Sequence, residues 1–300
     1  MTTRPRERLL FVPPDPPPMS FAAYRSIQAL NWSALKHLSR SPAHYLARLL
    51  DPGVDTASLK RGRAVHVAVL EPERFASLYA VWDGRRSGKD WEAFEAAERL
   101  AGREVLTAKE YELAKALAIA VRGDPVAARY VTGVRTEQSI GWTYRRPEFE
   151  GLAGYEMACK ARLDAVSQLG IVDLKTSRDG SPSAFGREVL RLEYHVQAAW
   201  YVDGYRAQTG RELPWSWVVV EATAPHVVQV YQATEDVLEL GRERYRELLD
   251  LLHACQRDNH WPGYATSEMP IQLPRWAWPQ DEDVEDIGLE FGSQEESHAF

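Results

Sequence analysis

Two short stretches of the chain carry acidic and basic side chains at spacings that could support chemistry. Arg162-Leu163-Asp164 and Asp173-Leu174-Lys175 lie in two hydrophobic segments that are joined by a Gly-containing turn and are predicted to be neighbouring strands. Asp173 and Lys175 are two residues apart, so on a strand their side chains leave the same face. Asp164 can reach that face from the neighbouring strand. Paired carboxylates hold hard cations such as Mg²⁺, which activate water and polarise phosphates.

The pattern therefore predicts metal-dependent phosphodiester chemistry. Lys175 would position the attacking water or offset charge on the phosphorus. The Leu174 carbonyl would be a further oxygen ligand, and Glu137, at the start of the preceding strand, could serve a second metal through water. The alternative is a surface strand pair with a salt bridge, which is the commoner explanation of an isolated D-x-K motif.

Three more side chains are candidates for the same site. His66 lies in an apolar helical segment, where a lone histidine is more often part of the core. Gln197 and Tyr201 are four residues apart and share one face of a predicted helix. Both can hydrogen-bond a phosphate or orient Lys175, and simple helix packing is the alternative.

Basic side chains precede His66 and also form a separate loop. Residues 84–90 resemble a phosphate-binding loop but lack the required length and the Ser or Thr after the lysine. We interpret them as a mobile basic loop. The candidates for contact with a DNA backbone are Lys60, Arg61, Arg63, Arg85, Arg86, Lys89 and Arg162.

The elements that must position these residues follow a mixed order. Helices precede three strands, which are followed by two helices, two strands and a last helix; this order predicts an α/β or α+β domain with an N-terminal helical elaboration. The predicted strands are 139–144, 155–166, 171–175, 215–221 and 227–231. The predicted helices are 30–50, 56–70, 91–101, 107–121, 181–189, 193–209 and 234–257. Residues 1–28 are expected to be a disordered or extended Pro-rich segment, 29–279 a single domain, and 280–300 a disordered acidic tail.

Composition narrows the class of protein. The formal net charge of the 300 residues is −7, but eight acids lie within residues 281–296, and without them 35 acidic residues face 36 basic ones. This near-neutral remainder favours a confined substrate groove over a strongly basic surface. No apolar run is long enough for a membrane span and no signal peptide is evident. Two distant cysteines lack the spacing of a zinc or iron–sulfur site and suggest a reduced, cytosolic setting.

The order of the motifs resembles the PD-(D/E)XK nuclease superfamily, and more narrowly the RecE-like, exodeoxyribonuclease VIII type enzymes of phages and prophages. The resemblance covers residues 30–278. Each motif alone could have a purely structural explanation, but six motifs in this order favour the nuclease interpretation. The six matching stretches are GRAVH at 62–66, VLEP at 69–72, EQSIGW at 137–142, CKARLD at 159–164, IVDLKT at 171–176 and HVQAAWY at 195–201. The later stretches WPGY at 261–264 and LPRW at 273–276 also fit.

The resemblance implies a restriction-endonuclease-like core, with a central mixed sheet flanked by helices. It implies a Mg²⁺-dependent 5′→3′ exonuclease on linear double-stranded DNA, with Mn²⁺ able to substitute, that exposes 3′ strands for recombination by annealing. Carried over to this chain, the metal ligands are His66, Asp164, Asp173 and the Leu174 carbonyl. The other catalytic residues are Glu137, Lys175, Gln197 and Tyr201.

The resemblance also implies partners. Relatives form rings around DNA and pass the 3′ strand to an annealing protein, so we expect a homo-oligomer that binds duplex ends and such a partner, away from membranes. The expected location is the cytoplasm, that of a bacterial host if the chain is phage-encoded. A structure-specific or defence endonuclease and a non-catalytic DNA-end-binding module are the alternatives. The acidic tail is either a docking segment for the partner or a solubilising extension.

Overall fold

The computed structural model describes residues 19–51, 56–148, 153–265, 267–274 and 277. The chain divides into a compact unit, Met1–Gly263, and a second unit, Tyr264–Phe300. All elements described below belong to the first unit. The acidic tail predicted at 280–300 and Trp276 of the last motif lie outside the described residues.

A five-stranded mixed sheet forms the centre of the first unit, in the order β3-β4-β5-β6-β7. Strands β5 and β6 are parallel, and the other neighbours are antiparallel. Strands β1 and β2 form a separate parallel pair. The strands are β1 (Tyr79–Trp82), β2 (Glu104–Thr107), β3 (Arg135–Arg146), β4 (Tyr155–Ser167), β5 (Gly170–Ser177), β6 (Trp215–Glu221) and β7 (Val228–Gln232).

Helices cover both faces of this sheet, as the predicted fold class requires. The helices are α1 (Phe21–Ser26), α2 (Trp32–Leu35), α3 (Pro42–Leu50), α4 (Ala57–Leu70), α5 (Pro72–Leu78), α6 (Lys89–Leu100), α7 (Ala108–Gly123), α8 (Ala128–Val131), α9 (Pro182–Arg191), α10 (Tyr194–Thr209) and α11 (Glu235–Asp258), with a 3-10 helix at Lys36–Ser39. Among the described residues, none of these helices combines the length and apolar character needed to cross a bilayer.

Two apolar cores result, one on each face of the sheet. The first core joins α2, α3, α9, α10 and α11 to the sheet, around the fully buried Trp200 and Trp215. The second core joins α4, α5, α7 and α8 to the other face, around residues such as Val69 and Leu117. Burial of aliphatic and aromatic side chains on both faces is the main stabilising contribution to such a fold.

Local sequence signals located several helix ends correctly. Thr107 and Glu110 form a capping box at the start of α7, where the sequence predicts a helix to begin. Ser41 caps α3 directly before Pro42. Helix α4 begins after its Thr56 cap and ends at Leu70.

The N-terminal segment differs from the prediction that residues 1–28 are disordered or extended. Residues 1–18 lie outside the described part of the chain, but Phe21–Ser26 is helical, because the Ser20 side chain accepts a hydrogen bond from the Ala23 N–H. This segment lies along β4, where Lys160 Nζ donates to the carbonyls of Tyr24 (2.9 Å) and Ile27 (2.8 Å). The segment therefore covers an edge of β4 that β5 leaves open.

Strands β4 and β5 pair only over a short stretch and then diverge. Their register runs from Ala165 opposite Val172 to Ser167 opposite Gly170. Just beyond it, the Leu174 N–H donates to Asp164 Oδ2 (3.1 Å) instead of to a backbone carbonyl of β4. The divergence thus opens a gap in the sheet and places carboxylates at it.

Candidate functional site

The end of β5 presents a carboxylate and an ammonium group on one face of the sheet. Asp173 Oδ2 lies 2.6 Å from Lys175 Nζ. Gln197, on α10, donates through Nε2 to Asp173 Oδ1 (3.0 Å) and accepts from Lys175 Nζ through Oε1 (3.3 Å). The three side chains close a ring of polar contacts, so each one fixes the orientation of the other two.

A second polar pair joins this ring from the opposite face of the sheet. His66 Nδ1 lies 3.3 Å from Asp164 Oδ2, and both side chains retain about a quarter of their exposure (26% and 21%). Helix α4 holds His66 in place because its neighbours Val65 and Val69 are buried in the second core. The gap between β4 and β5 is therefore lined by residues from both helical layers.

Electrostatics at the gap differ between the two aspartates. Burial raises the pKa of Asp173, and the Asp164 charge raises it further, although Lys175 works against both. Burial also disfavours the charged form of Asp164, but the charge and hydrogen bond of His66 outweigh it and the pKa is lowered. Burial would lower the pKa of Lys175, yet the charges of Asp173 and Asp164 raise it, so the lysine stays an ammonium.

The donor set at this gap fits a hard divalent cation. Asp173 Oδ2 is buried, and the Lys175 ammonium, 2.6 Å away, balances its charge. No group of three His, Cys, Asp or Glu side chains within the described ranges is arranged to hold a metal. Mg²⁺ commonly takes only one or two carboxylates and fills its other positions with water and substrate phosphate. Asp164, Asp173 and the Leu174 carbonyl would suffice for such an ion.

Glu137 is placed beside the gap, but its carboxylate points to another partner. The register of β3 and β4 sets Glu137 opposite Asp164, and its positive φ of 53° interrupts the regular ladder. Its Oε2 accepts a hydrogen bond from Arg162 Nε. Glu137 therefore lies one strand from Asp164 and two strands from Asp173, and an arginine neutralises its charge. Its predicted role at a second metal stays a prediction.

Arg162 is not placed as the DNA contact that the sequence suggested. Its side chain is only 16% exposed, and its Nη1 donates to the Met19 carbonyl (3.0 Å) and Ser139 Oγ (3.2 Å) in addition to the Glu137 contact. The guanidinium also lies over the rings of Phe21 and Tyr24. Arg162 thus connects the N-terminal segment to the sheet.

Tyr201 follows Gln197 by one helical turn and lies on the same side of α10. Its ring packs edge-on against Trp215, with centroids 5.7 Å apart. Burial raises the pKa of the Tyr201 hydroxyl well above its usual value, and Tyr24, Asp164 and Asp173 raise it further. The phenol therefore stays neutral near the aspartates, as a hydrogen-bond donor requires.

Sequence reasoning missed Tyr194, which lies directly at the site. Lys175 Nζ is 4.5 Å from the centroid of the Tyr194 ring, a cation–π contact. Helix α10 begins at this residue because Glu193 adopts a left-handed conformation, in which its carboxylate accepts from Ser39 Oγ (2.9 Å). The spacing of three residues between Tyr194 and Gln197 on a predicted helix was the signal that could have revealed it.

The remaining basic candidates do not form one patch. Lys60 and Arg63 share the carboxylate of Glu104, at 3.8 and 2.9 Å. Arg86 Nη2 donates to the Val105 carbonyl (3.2 Å) and to Glu110 Oε2 (3.2 Å). Arg61, Arg85 and Lys89 are exposed, as are Arg63 and Arg86 despite these contacts.

Comparisons with known proteins agree with this geometry. A family model described as a PDDEXK-like domain of unknown function (DUF3799) matches residues 31–269. No curated protein matches the sequence. A crystal structure of a candidate exonuclease from Eubacterium rectale is similar in fold, with a TM-score of 0.57 and 14% identity over 85% of this chain and 96% of that one. The crystal structure of SSO0001 aligns with a TM-score of only 0.25 and 14% identity, over 63% of this chain and 86% of that one. The Eubacterium likeness, at this identity, concerns the fold alone.

Proposed function

Because the chain belongs to the DUF3799 family of PDDEXK-like domains, we propose that it is a metal-dependent deoxyribonuclease. The observation that carries the proposal is the ring of Asp173, Lys175 and Gln197 beside the His66–Asp164 pair. It brings two carboxylates, an ammonium group and an amide together at one gap in the sheet. Fold stability alone does not explain this group of charged side chains, because a buried ion pair contributes little to the free energy of folding.

The reaction assigned to the site is hydrolysis of a phosphodiester. Asp164, Asp173 and the Leu174 carbonyl would hold Mg²⁺, which when bound supplies Lewis-acid polarisation of the phosphate and of a water molecule. The Lys175 ammonium, held by Gln197, orients the attacking water or offsets the charge that develops on the phosphate oxygens. The neutral Tyr201 hydroxyl is a donor near the same position.

The finer assignment is a RecE-like 5′→3′ exonuclease on linear double-stranded DNA. The order of motifs from His66 to Tyr201 supports it. The exposed 3′ strand would pass to an annealing protein for recombination, and a ring of subunits would keep a near-neutral protein on its substrate. An annealing protein encoded beside this chain would support that role.

Digestion of end-labelled linear duplex and of closed circular duplex tests the activity. We expect Mg²⁺, and Mn²⁺ in its place, to support loss of nucleotides from 5′ ends, and a chelator to stop it. The circle should stay intact because an exonuclease cannot start on it. Cutting of the circle would favour the endonuclease alternative, and binding without cutting would favour the non-catalytic module.

Lys175→Ala tests the mechanism. Removal of the ammonium should abolish cleavage and leave DNA binding largely intact, because the lysine acts on the water or the transition state. The matched control is Lys115→Ala, which removes an exposed lysine of α7 that pairs with Glu112. Cleavage at the wild-type rate by Lys175→Ala would exclude the mechanism.

A further inference from the structure

A large open cleft adjoins the candidate site at the carboxyl ends of β5 and β6. Its volume is about 610 Å³. Thr176 and Arg178 line it from the end of β5, and Arg61 and Gly62 line it from the first turns of α4. The cleft and the site share both elements, since Lys175 directly precedes Thr176 and His66 lies one turn after Gly62.

Three arginines of this cleft lack a close partner in the described part of the chain. Arg61, Arg178 and Arg191 form no ion pair or hydrogen bond with any residue in the described part of the chain. Arg63, only two residues from Arg61, is by contrast paired with Glu104. A guanidinium group left unpaired in a concave surface is available for bidentate contact with a phosphate.

The acidic side chains of the cleft are already engaged elsewhere. Glu188 Oε2 accepts a hydrogen bond from Ser177 Oγ (2.9 Å). Asp179 Oδ1 accepts from the Ser181 N–H (2.9 Å) at the start of α9. These carboxylates accept hydrogen bonds at the strand end and at the helix start, and neither forms an ion pair with Arg61, Arg178 or Arg191.

The floor of the cleft allows close approach of a ligand to α4. A Cβ atom added at Gly62 would meet nothing within 4 Å, so the space beside the helix is open. Ligands of sheets with parallel strands bind beyond the carboxyl ends of those strands, and β5 and β6 are the parallel pair here.

We propose that this cleft binds phosphates of the cut DNA strand that neighbour the scissile one, with Arg61, Arg178 and Arg191 as the contacts. The inference rests on the proposed nuclease function and extends it, because neither Arg178 nor Arg191 belongs to the motifs of the family resemblance. The strand would run from the gap between β4 and β5 along the end of β5 into the cleft.

The salt dependence of DNA binding tests this assignment. Affinity for a short linear duplex is measured over a range of salt concentrations in a Lys175→Ala background, so that the DNA stays intact. Each phosphate contact contributes roughly 0.9 to the slope of log K against log salt, so Arg61→Gln, Arg178→Gln and Arg191→Gln together should lower the slope by about 2 to 3. The corresponding Arg→Lys triple variant should keep the slope, because the charges remain.

Arg187→Gln is the matched control. Arg187 lies on α9 one turn before Arg191 and is exposed, but it does not line the cleft. Two results would overturn the cleft assignment: the triple Arg→Gln variant keeps the wild-type slope, or Arg187→Gln lowers the slope equally. Neither result would affect the proposed function if the wild-type protein cleaves DNA. If the wild-type chain neither binds nor cuts DNA, the proposed function fails, and the cleft assignment fails with it.

Discussion

At the scale of single residues, the position of Lys175 is determined by three different contacts. Asp173 supplies an opposite charge, Gln197 an amide oxygen and Tyr194 an aromatic face. The sequence predicted the shared face of Asp173 and Lys175, and the structure confirms this geometry. The spacing of Tyr194 and Gln197 indicates that they share a helix face, but the place of the Tyr194 ring beside Lys175 also depends on the left-handed conformation of Glu193 at the start of α10.

Substitution of Gln197 tests whether the polar ring is needed for activity. Gln197→Leu removes the donor to Asp173 Oδ1 and the acceptor for Lys175 at once. Loss of such supporting contacts typically costs about 10- to 100-fold in activity or metal affinity. We expect a fall of that size in kcat and a higher Mg²⁺ requirement, measured by steady-state cleavage of linear duplex.

The control for Gln197 lies on the same helix. Gln208 also belongs to α10, but its side chain accepts from the Gly141 N–H, away from the aspartates. Gln208→Leu should therefore leave the Mg²⁺ requirement unchanged. Equal Mg²⁺ dependence in the Gln197→Leu and wild-type proteins would show that Gln197 does not support the metal ligands.

Tyr194 offers a test of the cation–π contact. Tyr194→Phe keeps the aromatic face beside Lys175 and should retain activity. Tyr194→Leu removes the aromatic face and should lower activity. A cation–π contact contributes about 0.5–2 kcal/mol, so the Leu variant should be slower by roughly 2- to 30-fold. The measurement is kcat at saturating DNA and Mg²⁺. Equal losses in both variants would mean that the hydroxyl, not the ring, is what matters.

At the scale of elements, α10 carries the largest share of the site. Tyr194, Gln197 and Tyr201 are spaced by three and four residues and so lie on one face of the helix. Close packing against α11 fixes the position of α10: a Cβ added at Gly241 would lie 2.3 Å from the His195 carbonyl oxygen. The sequence gives no sign of this contact, because it joins residues far apart in the chain.

Gly241→Ala should therefore destabilise the fold and displace the site. Overpacking of a tight interface typically costs about 1–3 kcal/mol. The measurement is the free energy of unfolding from urea denaturation. Gly186→Ala on α9 is the control: a Cβ there meets nothing within 4 Å, and Ala is favoured over Gly in helices by roughly 0.5–1 kcal/mol. A Gly241→Ala protein as stable as the control would show that the two helices can separate freely.

Elements with local signals were predictable, and those that depend on distant partners were not. The capping box of α7 and the start of α3 are encoded within four residues each. Strand β2 has only four residues, and its partner β1 is separated from it in the sequence by α6. No local pattern therefore distinguished β2 from a loop. The prediction of a three-stranded meander for β3, β4 and β5 is confirmed, but the divergence of β4 and β5 that opens the site was not foreseeable.

At the scale of the whole molecule, the site depends on both helical layers. His66 belongs to the layer of α4 and α7, whereas Gln197 belongs to that of α10 and α11. The two side chains meet their aspartates from opposite sides of the sheet. The contacts that orient the two aspartates therefore form only when both layers are packed, which couples the proposed activity to complete folding.

The charge distribution of the whole chain gives the last prediction. Deletion of residues 281–300 removes eight acids and no lysine or arginine, so the formal net charge changes from −7 to +1. Long-range attraction governs how fast DNA and protein meet, and salt screens it, with a Debye length of about 10 Å at 0.1 M and about 3 Å at 1 M. We expect faster association of the deletion variant with linear duplex at low salt and equal rates at high salt, measured by stopped-flow fluorescence. A full-length variant with the eight acids changed to Asn or Gln separates charge from length and should behave like the deletion. Equal rates for all three proteins at low salt would show that the acidic residues do not oppose the approach of DNA.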